Sequence, residues 1–257
     1  MSKKIIIFTS FNNWNQWGES DNRIYTKEWI DQRISIFMNY TLKSLKIQTN
    51  QNFLHLIMYD PTTKELIQQA LANYDKLPDN IRFVSPNEYH NQISENIKGY
   101  DYLYLVRLDS DDMYHKSYIQ QLHNYIHNEN TKVLINRRGY IYDSANNRLA
   151  KYYHFSPQFY TEIYKVNDYQ QGKRHGISGH HLRAYNLPYE ILKNPNFINH
   201  KHTNNTDFDF PKNNKNVNRN IWQGNGNSKC ELIGNLYRDK NEIEKILEEF
   251  IGPITIG

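Results

Sequence analysis

Apolar and polar positions along the first half of the chain follow two periods, and the contrast between them predicts its elements. Short β-branched or aromatic runs read as strands: Lys4 to Thr9, Phe53 to Tyr59, Ile81 to Val84 and Tyr102 to Leu108, then Val133 to Asn136 and Tyr140 to Asp143. Between them, Ile34, Phe37, Met38, Leu42 and Leu45 recur at helical spacing and predict a helix over Arg33 to Gln48 that covers one sheet face. After the second strand, Asp60-Pro61-Thr62-Thr63 predicts a turn, with Thr62 or Thr63 capping a helix that carries Leu66, Ile67, Ala70 and Leu71. A third helix is expected over Glu88 to Ile97, and a fourth starts near Lys116 and buries Tyr118, Ile119, Leu122 and Ile126. Strands separated by crossover helices make an α/β layout, and the first four strands predict a largely parallel sheet.

Beyond residue 150 the periodicity weakens. Pro157, Pro188, Pro195 and Pro211 punctuate an aromatic and His-rich region, and Asn213 to Asn227 reads as a long mobile loop. Pattern returns at Asp239 to Phe250, where Ile243, Ile246, Leu247 and Phe250 form an apolar stripe. A helix docking on the domain is expected there, with membrane docking as the alternative. The 257 residues suffice for one core, and there is no internal repeat.

Composition changes this picture in three places. Apolar residues are 38 % of the chain, but 21 Tyr and 11 Phe supply aromatic bulk that disordered chains lack. The net charge of +4 favours anionic ligands such as nucleotide diphosphates, polyphosphate polymers or membrane surfaces, and is too small to argue for nucleic acid alone. The single cysteine, Cys230, rules out an intrachain disulfide framework and fits a reducing, cytoplasmic setting. Ile5-Ile6-Ile7-Phe8, after Lys3 and Lys4, is too short for a signal-peptide core or a membrane span and reads as a buried strand.

The most informative chemistry follows the apolar run Tyr102 to Leu108, which delivers Asp109, Asp111 and Asp112 to a strand's carboxyl end. Open α/β sheets bind ligands there, and clustered carboxylate oxygens are the hard ligands that Mg²⁺ or Mn²⁺ prefers. A metal bridging two phosphates would offset the charge on a departing nucleoside diphosphate, and Arg107 assists if it faces the cleft. The competing explanation is an acidic turn that only caps the following helix. In His175-Gly176-Ile177-Ser178-Gly179-His180-His181 the glycine-flanked pair suits a metal-binding loop, although a chain with 11 His produces such clusters by composition. His123 and His127, four apart on the predicted helix, have no third ligand and read as surface or groove residues. Tyr152-Tyr153-His154-Phe155 could stack a sugar or base, but reads as core.

Arg107-Leu108-Asp109-Ser110-Asp111-Asp112 resembles the Asp-x-Asp region of inverting GT-A glycosyltransferases. Upstream, Arg33…Phe37…Thr41-Leu42-Lys43-Ser44-Leu45…Gln48-Thr49…Asn52-Phe53 is similar to a bacterial rhamnosyltransferase group. The resemblance covers residues 4 to 145. It implies a GT-A, Rossmann-like fold: a mostly parallel central sheet flanked by helices, with an irregular acceptor-side region after it. One domain over 1–257 is expected, with 1–145 binding the nucleotide sugar and 146–257 forming the acceptor side and the closing helix.

The implied activity is metal-dependent, inverting transfer of a sugar from a UDP- or dTDP-linked donor to a hydroxyl on a glycan or cell-wall polymer, with Mn²⁺ or Mg²⁺ as cofactor. By the same resemblance Asp109 and Asp111 match the motif's two carboxylates, with Asp111 or Asp112 nearest the metal and Asp109 also able to reach the ribose. Thr9, Ser10, Phe11 and Asp60 would line the nucleotide pocket, with Arg33, Arg107 and Ser110 also on the donor, and His180 or His181 would reach the metal. Asp60 equally suits an Asx-type turn before Pro61. Asp207 and Asp209 are candidates for the general base, although the group's Glu-Asp base motif is absent. A nucleotidyltransferase would carry a glycine-rich, basic loop after its first strand, whereas Thr9 to Gly18 has one glycine and no Lys or Arg. Two alternatives stay open: a glycosyltransferase acting on hydroxylated nucleic-acid bases, and an idle carbohydrate-binding scaffold.

Overall fold

The computed structural model describes residues 1–13, 21–177, 181–202, 231–237 and 239–253. Its first strand, β1 (Lys3–Ser10), buries Ile5, Ile6 and Ile7 in succession. An apolar run without alternation needs cover on both faces, and β1 has it at the middle of a sheet. Thr26 caps α1 (Lys27–Ile36) by accepting from Trp29 N, and the helix widens to a π turn over Phe37–Thr41 before α2 (Leu42–Lys46). The helix expected over Arg33 to Gln48 therefore starts earlier, because the Thr26 cap rather than the apolar stripe sets its first turn.

After β2 (Leu54–Met58), Asp60 accepts from Thr62 N and closes a 3-10 turn over Pro61–Thr63 ahead of α3 (Lys64–Leu71). Neither threonine caps α3 through its side chain, which corrects the expected cap; Pro61, with φ already set, nucleates the turn and leaves the capping to Asp60. β3 (Ile81–Val84) leads to α4 (Pro86–Asn96), opened by a capping box between Ser85 and Glu88. Next come β4 (Tyr102–Arg107), the two-residue β5 (Met113–Tyr114) and α5 (Tyr118–Asn124). Tyr118, Ile119 and Leu122 are buried as expected, but α5 stops at Asn124, so Ile126 is 84 % exposed. For the same reason His127 leaves the face of His123; it is buried, not a surface residue, and bonds Tyr104 Oη through Nδ1.

Strands continue through the region where periodicity is weak: β6 (Val133–Asn136), β7 (Arg138–Asp143), β8 (Arg148–His154) and β9 (Tyr160–Lys165), then α6 (Val166–Gln170). They are followed by β10 (Tyr189–Leu192), β11 (Phe197–Lys201), β12 (Glu231–Tyr237) and α7 (Lys240–Ile251). The main sheet runs β10-β6-β9-β4-β1-β2-β3. β1 to β4 are mutually parallel, and β9 lies antiparallel between β4 and β6. Helices α1, α2, α3 and α5 share one apolar cluster with this sheet, and α4 and α6 share the cluster that includes Ile6, Leu54, Leu56 and Leu103. This is the mixed α/β class expected, with a mostly parallel sheet between helices.

A second sheet runs β12-β8-β7-β11-β5. The closing helix α7, capped by Asp239, docks on it through Ile243, Leu247 and Phe250. Among the described residues no helix is long and apolar enough to cross a membrane.

Candidate active site

Two non-local pairings bring the site together. β4 runs beside β1, so the acidic turn emerges at the carboxyl ends of parallel strands. β5, four residues past Asp109, pairs antiparallel with β11 through Ile198↔Met113, which draws the end of β11 against the same turn. The base of the turn is tied down from below: Thr9 Oγ1 donates to the Leu108 carbonyl at 2.5 Å and lies 2.8 Å from His55 Nε2. Because the hydroxyl proton is committed to Leu108, His55 must donate through Nε2, and its buried Nδ1 has no partner among the described residues. Burial lowers His55 to about 3, so the ring stays neutral.

Asp111 is the focus of charge. Its Oδ2 receives Arg33 Nη1 at 2.7 Å and lies 3.2 Å from His202 Nε2, with Arg33 Nη1 also 3.3 Å from that nitrogen. Burial alone would raise this carboxyl, but Arg33, then His202, outweigh it and hold Asp111 below the usual carboxylate range. Asp112 is used differently. Oδ1 accepts from His200 N at 3.0 Å and Oδ2 from Gln158 Nε2 at 3.2 Å, and burial with repulsion from Asp111 and Asp109 pushes its pKa up. Asp109, the most open of the three, pairs with Arg107 through Nε at 3.2 Å and Nη2 at 3.4 Å.

Among the described residues no three His, Cys, Asp or Glu side chains gather closely enough to hold a metal by themselves. Asp111 Oδ2 and His202 Nε2 nevertheless suit two ligands of one ion. Neighbouring ligands at about 2.1 Å from an octahedral ion lie about 3 Å apart, and Mg²⁺-type sites take one or two protein ligands and complete themselves with phosphates and water. The Arg33 guanidinium touches both atoms, so a cationic group already bridges this donor pair. The two contacts of His202 Nε2 belong to different tautomers: with its proton on Nε2 the ring donates to Asp111 Oδ2, and with the lone pair there it accepts from Arg33 and has the form that ligates metals.

The other expected site residues are spread more widely. Thr9 is internal, Ser10 is half-buried at the end of β1, and Phe11 packs edge-on against Trp29 and Phe83 in the core. Asp60 takes its turn role, with Oδ1 accepting from Thr62 N and Oγ1, and its N–H is held by Asn12 Oδ1. Ser110 is buried in the turn. His181 and Ser156 bond reciprocally, Nδ1 to Ser156 O and Ser156 Oγ to His181 O, which pins the loop carrying Gln158. His180, Asp207, Asp209 and Cys230 lie outside the described residues, as does the Asn213 to Asn227 stretch.

His200, His202, Gln158, His55 and Asn12 are the residues that sequence reasoning missed. One signal was present for two of them: in Phe197 to His202 the histidines are two apart, at the end of β11 and one residue past it, a spacing that in extended chain turns both to the same side.

His55 and His154 carry a testable consequence for stability. Burial lowers them to about 3 and about 4, against about 6.5 in an unfolded chain. The unfolded chain then binds more protons below pH 6.5, so their stabilisation is full above that pH and is lost as pH falls towards 4. Thermal midpoints measured from about pH 7.5 to 4.5 should fall steadily below about 6.5; a flat profile would show that the rings are not buried and neutral.

The family described as "Putative rhamnosyl transferase" matches residues 9–212. Among solved structures, Staphylococcus aureus TarS 1-349 is similar at 13 % identity, covering 77 % of this chain and 60 % of that one, with a TM-score of 0.41. The same protein in complex with UDP gives 12 % identity, 78 % and 61 % coverage and a TM-score of 0.40. A cytidylyltransferase from Leptospira borgpetersenii serovar Hardjo-bovis gives 13 % identity, 76 % and 77 % coverage and a TM-score of 0.37. The chain spans about three fifths of TarS 1-349. No curated protein matches.

Proposed function

The chain belongs to the rhamnosyl transferase family that its residues 9–212 match, and from that premise we propose a cytoplasmic, metal-dependent glycosyltransferase that moves a sugar from a UDP- or dTDP-linked donor to a hydroxyl of a glycan or cell-wall polymer. The observation that carries this reading is the convergence of Arg33 and His202 on Asp111 at the carboxyl end of β4. A nucleotide diphosphate is doubly anionic or more, and a buried carboxylate with an imidazole and a guanidinium beside it is suited to hold it through a divalent ion.

In this reading Asp111 and His202 would hold Mn²⁺ or Mg²⁺, which would offset the negative charge that grows on the diphosphate. Asp109 orients the donor's ribose, and Arg107 keeps Asp109 in place. Asp112 stays a structural member of the turn, since both its oxygens already accept hydrogen bonds. Arg33, which donates to Asp111, would pair with the diphosphate when that carboxylate is taken by the ion. The acceptor oxygen bonds to the anomeric carbon while the carbon–phosphate-oxygen bond breaks, and that electron pair leaves with the nucleoside diphosphate. The hydroxyl proton passes to a carboxylate base, for which Asp207 and Asp209 are the candidates, and attack opposite the leaving group inverts the centre.

The test is calorimetric titration with UDP, dTDP and GDP, with and without Mn²⁺. Binding of a uridine or thymidine nucleotide that tightens at least tenfold with the metal is expected. Metal-independent binding would remove the ion from the mechanism, and binding of none of the three would favour an idle scaffold.

A further inference from the structure

His200 makes more contacts to the acidic turn than any residue of the turn's own strand requires. It sits on β11, 88 positions from Asp112, and is 1 % exposed. Its backbone N–H donates to Asp112 Oδ1 at 3.0 Å, and its Nδ1 lies 3.1 Å from the Asp111 carbonyl. A carbonyl only accepts, so in the neutral ring Nδ1 carries the proton and Nε2 accepts from Ser144 Oγ at 2.8 Å, which draws that hydroxyl's one proton away from the longer contact to the Lys201 carbonyl at 3.3 Å. The ring is held against Tyr40 at 4.0 Å and parallel to Tyr142 at 5.8 Å. One imidazole therefore joins the acidic turn, the start of the β7–β8 connection and the π turn between α1 and α2.

We infer that His200 is a positioning residue: its Nδ1–H, donated to the Asp111 carbonyl, sets the backbone of the acidic turn so that the Asp111 carboxylate faces Arg33 and His202, which makes donor binding dependent on the second sheet. The inference rests on the proposed donor site for its functional readout, but its structural content does not. Asp111 has two links to the segment formed by the end of β11 and the residue after it, the carbonyl to His200 and the carboxylate to His202. Both contacts hold the same residue, so a turn released from the first is free to shift, and a shift at the Cα of Asp111 carries the carboxylate away from the second. Gln158 and His200 together hold Asp112, so the next residue of the turn cannot compensate by moving.

Two near-isosteric variants separate positioning from packing. The amide nitrogen of His200→Asn overlays Nδ1 and keeps the donor to Asp111, while that of His200→Gln overlays Nε2 and abandons it. Each variant leaves one hydrogen bond of the ring unmade, so their costs in stability should be similar and their melting points close. Calorimetric titration with UDP, dTDP and GDP in Mn²⁺, and hydrogen exchange of the peptide spanning 108–114, are measured on wild type and both variants. The expected result is nucleotide affinity within about threefold of wild type for His200→Asn and weakened about tenfold for His200→Gln, with faster exchange of the turn only in the latter. Equal affinities and equal exchange in the two variants would overturn the inference. If wild type binds none of the nucleotides, the donor-site reading fails by itself, and the exchange difference between Asn and Gln still decides whether His200 positions the turn.

Discussion

Asp111→Asn is expected to lower glycosyl transfer by about a thousandfold, in line with the loss of a preorganised charge at a developing anion. The amide has the shape of the carboxylate, so packing is unchanged, but it has no charge for Arg33 at 2.7 Å or for a metal. The side chains of Asp111 and Arg33 are 11 % and 21 % exposed, so a cost in stability accompanies the loss. Removing one partner of a buried pair costs up to about 3–5 kcal/mol, and the remaining access of Arg33 to water and to His202 places the expected cost below that range. The measurement is release of nucleoside diphosphate from a panel of UDP- and dTDP-sugars, with melting curves recorded on the same samples. A folded variant that retains transfer within tenfold of wild type would remove Asp111 from the donor site and leave the acidic turn a structural connection between β4 and β5.

The largest effect on stability is expected at Gly139. A Cβ built there meets the Phe197 carbonyl and comes within 2.6 Å of the Phe197 ring, so Gly139→Ala forces β7 and β11 apart. Phe197 cannot yield, because it is stacked on Phe159 at 3.8 Å and packs edge-on against Tyr152. Overpacking of this kind costs about 2–3 kcal/mol, which for a chain of this size lowers the thermal midpoint by roughly 5–10 °C. Donor affinity should weaken as well, since β11 carries His200 and leads directly into His202. A variant that melts with wild type would mean that β11 does not cross Gly139, and the order of the second sheet would need revision.

Legibility in the sequence tracks how far a residue's partners lie along the chain. Val133 to Asn136 and Ile81 to Val84 appear as strands at the bounds expected, since a short run rich in β-branched and aromatic residues reports a strand without reference to any partner, buried throughout in the first case and at the edge of the sheet in the second. Asp239 to Phe250 reads correctly as a docking helix for the same reason, its stripe being complete within twelve residues. Ile126 fails because its apparent helical register depends on where α5 ends, and neither a glycine nor a proline marks that end. β8, β9 and β11 fail differently. Their faces mix Tyr, His, Lys and Asn, and such residues are buried here by partners from other elements, as Tyr152 is by Phe197 and His200 by Tyr40 and Tyr142.

The sequence by itself determined the α/β class, the parallel first four strands and the delivery of Asp109, Asp111 and Asp112 to a strand's carboxyl end, because local periodicity and a local motif encode each of them. Tertiary structure alone decided that the three carboxylates differ: Asp109 turned to its neighbour Arg107, Asp111 faced by Arg33 and His202 from 78 and 91 positions away, Asp112 closed off by His200 and Gln158. Hydrophobic period states which face of a strand is buried, but not which strand lies beside it. The environment of a charged group is set by the groups that strand pairing brings within a few ångströms, so the separate roles of these carboxylates exist only once β11 has paired with β5 and β7.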